Sequence, residues 1–219
     1  MNKKLPKLNT YILNYEKNSK TRNPIFRFIA QYKAEVFLKK VLRVMDNEKL
    51  SEECIVYNKD GTKNEVINSI YRFQYFLVQA NADIALLSLN ILKSRDKFLK
   101  KRLLRFLCTI VYEAIDDFDK IKGHEYIEAM TTFQIDTKDH LSQEFDRFKQ
   151  YKKYWKNELY IIRNTIGAHR ELNIQEFNNC IKSLHENVIL ELALIFSSIL
   201  VCVSTYNVME LDRKMREIC

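Results

Sequence analysis

Arg163 and His169 stand six positions apart, with Asn164 directly after the arginine and Arg170 directly after the histidine. These residue types suit chemistry at a phosphate. Histidine titrates near neutral pH, so it can take up a proton and give it back. Arginine stays charged and presents a planar fork of donors that matches phosphate oxygens. Asn164 can orient the histidine or donate to a phosphate oxygen. The spacing alone carries little weight, since an Arg five to seven residues ahead of one of the four His is expected about 0.7 times by chance. On a straight helix six residues turn the chain by about 240°, so the two side chains diverge. Gly167, one of three glycines, stands between them. It costs about 1 kcal/mol against Ala in a helix interior, and it admits a close backbone approach or a local distortion. His169 also continues the apolar spacing of Ile162 and Ile166. A lone histidine there is ordinarily a hydrogen-bonded core or interface residue.

The full string Ile162-Arg163-Asn164-Thr165-Ile166-Gly167-Ala168-His169-Arg170 follows an aromatic-rich helical stretch and precedes a strongly apolar one. Here the chain resembles the HEPN (higher eukaryotes and prokaryotes nucleotide-binding) superfamily of all-helical domains. That family is marked by Arg, four to six residues, then His, usually with a polar residue directly after the Arg. Arg163, Asn164 and His169 match this pattern, and the resemblance covers about residues 64 to 210. It implies a metal-independent endoribonuclease built as a homodimer, in which two copies of the motif meet in one composite site. Arg163 and His169 of different subunits would then converge, which removes the geometric objection. The implied roles are proton transfer for His169, phosphate stabilisation for Arg163 and support for Asn164. No metal and no cofactor is implied. RNA, a second copy of the chain and an antitoxin or regulatory protein are the implied partners, in a toxin or phage-defence setting. A non-catalytic HEPN-like module that binds RNA, a nucleotide or a protein is the alternative, and a purely structural helical protein is a third reading.

Basic segments accompany the motif. Lys93, Arg95, Lys97, Lys100, Lys101, Arg102 and Arg105 crowd one stretch. Lys149, Lys152, Lys153 and Lys156 lead into the motif, interleaved with Tyr151, Tyr154 and Trp155. Such segments attract a phosphate backbone, and exposed aromatics stack unpaired bases. Arg170, Lys152 and Lys156 are the candidate substrate contacts. A solvated helix face with core aromatics accounts for the same pattern, and Trp155 falls on the apolar stripe. Asp116, Asp117 and Asp119 with His124 read as an acidic helix end rather than a metal-ligand set.

The elements that must position these residues are helices. The chain of 219 residues has only three Gly and two Pro, too few turn residues for sheets and long loops. Its composition, 47% hydrophobic and 29% charged, is that of a soluble globular protein, and its net charge of +8 is compatible with a phosphate-bearing partner or with solubility alone. The five cysteines include no CxxC pair, and Cys108, Cys180 and Cys202 sit in apolar helical patterns. They read as buried thiols of a reducing, cytoplasmic protein. Residues 192–206 carry no charge, but they fall short of the about 20 residues a membrane span requires. A core or dimer helix is expected there, and no membrane.

An all-α bundle of five or six principal helices follows. An N-terminal arm and helical extension over 1–63 precede a HEPN-like helical domain over 64–219. A first helix is expected from Pro24 to about Met45, then a turn at Asp60-Gly61, with a minor strand pair around it at most. The next helices are expected over Asn64 to Lys93 and Asp96 to Ile121, the latter ended by Gly123. The latter begins basic and ends acidic, against the helix dipole, so packing must hold it or its carboxylates serve something else. A connection over Ala129 to Asp139 leads into a helix with the stripe Leu141, Phe145, Phe148, Trp155, Leu159, Ile162 and Ile166. The last helix is expected from an Asn173 cap with Glu176 three residues on, burying Phe177, Ile181, Leu184, Val188, Leu192, Ile195 and Ile199.

Overall fold

A computed structural model describes residues 61–62, 64–135, 137–164 and 185–218, together with Val36 and Lys39. Among them stand five helices and no strand. They are α1 (Glu65–Lys93), α2 (Lys97–Lys122), α3 (His124–Thr132), α4 (Thr137–Ile162) and α5 (Glu186–Ile218). The protein is an all-α bundle. Val36 and Lys39 are helical, within the first helix expected from the sequence. The rest of that helix, the first strand of the minor pair expected around Asp60-Gly61 and the Asn173 cap lie outside the described residues. Gly61 adopts φ +81°, the left-handed backbone that the Asp60-Gly61 turn calls for.

Local chemistry sets the helix ends. The Asn64 side chain accepts a hydrogen bond from the Ile67 amide at 2.9 Å and starts α1. Asp96 Oδ1 accepts from Phe98 N at 2.7 Å and Leu99 N at 3.2 Å, so one carboxylate satisfies two orphan amides of α2. Its charge also suits the positive end of the helix dipole. At the other end Lys120 and Lys122 occupy the last turn, beyond the acidic residues. At Gly123 a Cβ would come within 2.9 Å of the Lys120 carbonyl oxygen, so glycine is what lets the chain turn there.

Three expectations are corrected. The segment after Gly123 forms α3, whose Tyr126, Ala129 and Met130 are buried, so the connection does not begin at Ala129. Gln134, at φ +52°, closes this helix; its amide bonds to Thr131 O, and Ile135 N bonds to Met130 O at 2.8 Å. The helix expected to run on from Asn173 is not continuous through His185, which is non-helical; α5 starts at Glu186. The Ile189 amide takes the His185 carbonyl as its first helical acceptor. On α5 Val188, Leu192 and Ile199 of the expected stripe are buried, but Ile195 and the Cys202 thiol are exposed where both were expected inside, and Phe196 and Val203 are buried instead. A helix apolar on most sides has a weakly defined inner face.

Each of the five helices contributes to one chain of aromatic contacts. Phe118 of α2 stacks on Phe148 of α4 with centroids 4.0 Å apart. Phe73 of α1 meets Phe118 edge-on at 5.3 Å and Tyr126 of α3 at 4.5 Å. Phe196 of α5 lies against Tyr151 of α4 at 5.3 Å. The α1–α5 seam adds polar pairs at intervals of seven residues. Gln74 Nε2 donates to Ser204 Oγ at 2.6 Å, and Ser197 Oγ donates to Asn81 Oδ1. Tyr126 Oη donates to Asn207 Oδ1 at 2.7 Å, tying α3 to the same helix. By length and composition, Glu65–Lys93 and Glu186–Glu210 are apolar enough to cross a membrane. In this fold both give their apolar and polar buried side chains to the bundle interior.

Phe73→Ala is expected to destabilise the fold by about 3–5 kcal/mol, the usual cost of emptying a buried aromatic site. Phe98→Ala, at a side chain 70% exposed, should stay within about 0.5 kcal/mol of wild type. Denaturant midpoints of the two variants check both values.

Candidate functional site

Arg163 and Asn164 follow directly on α4, where the helix widens into a π turn. Such widenings are rare and recur at functional positions. Arg163 lies beside α2. Its Nη2 donates to Glu113 Oε1 at 3.4 Å and its Nη1 to Asn164 Oδ1 at 3.3 Å. The guanidinium carbon sits 5.5 Å from the centre of the Tyr112 ring, a cation–π contact. The side chain is 29% exposed. Its Nε is buried without a hydrogen-bond partner among the described residues.

The Glu113 contact is the last rung of a ladder between antiparallel helices. Asp119 pairs with Lys152, Asp116 with Lys156 at 2.5 Å, and Glu113 with Arg163. The acidic residues are three apart on α2, so they share one face. Lys156 also reaches to 5.9 Å from the Tyr112 ring centre, so Arg163 and Lys156 flank the same ring. Tyr160 packs against Tyr112 with centroids 5.8 Å apart. The acidic end of α2 thus serves to hold α4.

The ladder bears on two of the expected substrate contacts. Lys152 and Lys156 point at α2 carboxylates, and a phosphate would have to displace Asp119 and Asp116 to reach them. The Glu113–Arg163 pair is longer, and its carboxylate partner is more exposed. An exposed pair of this kind contributes about 0–1 kcal/mol. A phosphate offers a charge-assisted, two-pronged partner for the same guanidinium. Arg163 is therefore the cation of this face that an anion can most readily recruit. Glu113 and Tyr112 escaped the sequence reading, although Glu113, Asp116 and Asp119 show the three-residue repeat of a charged face. His169, Arg170 and Gly167 lie outside the described residues.

The carboxylates beside His124 are engaged elsewhere. Asp116 and Asp117 both hold Lys120, and His124 Nδ1 lies 3.4 Å from Glu128 Oε2. Among the described residues no three His, Cys, Asp or Glu side chains converge as metal ligands would. Lys122 lies over Phe145 at 4.4 Å, and burial lowers its affinity for a proton. Comparison of the chain with protein-family models, curated proteins and solved structures gives no match.

Hydrogen bonds from Lys156 and Lys120 hold the Asp116 carboxyl below its ordinary value. A carboxyl depressed in the folded state adds stability above its unfolded pKa and loses it as pH falls through the folded value. Stability should therefore decline from about pH 4 downward, and Asp116→Asn should flatten this part of the profile. Thermal midpoints of both proteins across the acid range test this, and parallel profiles would deny Asp116 the role.

Proposed function

We propose that the chain is a HEPN-type, metal-independent endoribonuclease that acts as a cytoplasmic homodimer, in the manner of a toxin or phage-defence effector. The observation that carries this reading is Arg163, hydrogen-bonded to Asn164 at a helix-end π turn, half-shielded over Tyr112 and ion-paired at 3.4 Å to the exposed Glu113 carboxylate. The sequence places His169 six residues further on. In the reaction the ribose 2′-OH attacks the adjacent phosphorus and the bond to the 5′ oxygen breaks. The neutral His169 imidazole accepts the 2′ proton, and the imidazolium so formed gives a proton to the leaving 5′ oxygen. Arg163 offsets the charge that gathers on the phosphoryl oxygens. Asn164, bonded to the Arg163 guanidinium, orients it. A regulatory protein that covers this end of α4 would silence the enzyme.

The test is cleavage of RNA in EDTA with identification of the product ends. Wild type should leave a 2′,3′-cyclic phosphate, and Arg163→Ala or His169→Ala should each reduce the rate at least about 100-fold. Folding and dimer state are checked first by circular dichroism and light scattering. Mixing the two inactive variants should restore part of the activity, because the mixed dimer retains one Arg163 and one His169 on opposite subunits. Full activity of His169→Ala would sink the mechanism. RNA binding without cleavage of any RNA would replace the enzyme with a binding module.

A further inference from the structure

Outside the ladder, the face of α2 that looks to solvent is unusual. Phe98 is 70% exposed, Phe106 49% and Leu99 45%. At 100° per residue, Phe98, Leu99, Arg102 and Phe106 fall within a sector of about 100°, so they form one stripe; Arg95 lies just ahead of the helix, in non-helical backbone before the Asp96 cap. Cations lie on the rings: Arg102 Cζ is 5.2 Å from the Phe98 centroid and Arg105 Cζ is 5.0 Å from that of Phe106. Among the described residues Arg95 and Arg102 meet no carboxylate. Phe98 and Phe106 are about 12 Å apart along the axis, and Glu113 with its partner Arg163 lies about 10 Å beyond Phe106 in the same sector. The stripe therefore leads to the candidate site.

We infer that this face of α2 is a track for single-stranded RNA, with Phe98 and Phe106 as stacking platforms and Arg102, together with Arg95 just ahead of the helix, as phosphate contacts. The inference rests on the proposed ribonuclease reading, because it takes the same substrate to the same arginine. Charge decides the occupant. Seven Lys and Arg stand between positions 93 and 105; Lys100 is paired with Glu186 of α5, and the one carboxylate of the stretch, Asp96, is engaged in capping, so Arg102 and Arg105 beside the rings set the charge of this face. A second copy of this face would bring the same cations against their own kind, whereas a polyanion is complementary to it. Flat, exposed rings with guanidinium groups on them match unpaired bases strung on phosphates. A duplex keeps its base faces stacked inside, so it gains little from Phe98 and Phe106.

The test is anisotropy of a labelled oligouridylate of about twelve nucleotides, in EDTA, on the full chain carrying His169→Ala so that the probe survives. In that background Phe98→Ala and Phe106→Ala should each weaken binding about tenfold, and Phe98→Tyr should keep it. Arg102→Ala should lower the slope of log affinity against log salt by about 0.7. A duplex of equal length should compete poorly. Unchanged affinity of the Phe98→Ala, Phe106→Ala double variant overturns the track, as does equal competition by the duplex. Absence of binding, or preference for vesicles of anionic phospholipid over the oligonucleotide, overturns it too. The two readings fail separately. If the otherwise wild-type chain cleaves RNA and the double phenylalanine change leaves its KM untouched, the track falls and the enzyme stands. If the oligouridylate binds through both rings while no RNA is ever cut, the enzyme falls and the track stands.

Discussion

The stack of Phe118 on Phe148 is the contact around which the bundle is organised. It joins α2 to α4 at a centroid separation of 4.0 Å, and through Phe73, Tyr126, Tyr151 and Phe196 it reaches the other three helices. Aromatic pairs contribute about 0.5–1.5 kcal/mol each beyond the area they bury. Their larger effect here is geometric. Flat rings in mutual contact leave few ways to rotate or slide a helix, so burying them fixes the helices relative to one another. A core of aliphatic side chains alone would specify this less sharply.

Polar side chains refine what the rings begin. Gln74 and Asn81 lie seven residues apart on α1, as Ser197 and Ser204 do on α5, and the two pairs meet in antiparallel order. Sliding α1 by one turn would leave these buried groups without partners, at about 1–3 kcal/mol each. The ion pairs between α2 and α4 act differently. They are partly exposed, and their contribution to stability is small. What they select is the angular position of α4 on α2, since only one rotation brings Lys152, Lys156 and Arg163 to the same row of carboxylates.

Much of this was legible in the sequence, for identifiable reasons. Asn64, Asp96 and Gly123 are strong punctuation in a chain with so little glycine and proline, and α1 and α2 begin and end beside them. The stripe of α4 keeps one period over many turns, so its inner face was apparent. The nine-residue α3 offers too few turns for a period to emerge. On α5 apolar residues surround the helix, and the reading put Ile195 inside where the fold buries Phe196. The partners of Asp116 and Asp119 were hidden because pairing between helices depends on tertiary placement. Arg163 and Asn164 were recognisable as chemistry, but Glu113 and Tyr112, some fifty residues earlier in the chain, become their neighbours only through folding.

The position of Arg163 follows from these layers together. The aromatic contacts bring α4 against α2, the ladder rotates it, and the last rung falls where α4 gives way to a π turn. A cation in the middle of the ladder is held on both sides by the regular helix and by short ion pairs. At its end the guanidinium has an aromatic face beneath it, an amide beside it and one long, exposed ion pair, and its Nε remains unbonded among the described residues. The same interactions that bind Lys152 and Lys156 into the scaffold therefore leave Arg163 oriented yet exchangeable. A group that must turn toward a phosphate needs both properties: a fixed starting position, and a partner weak enough to be displaced.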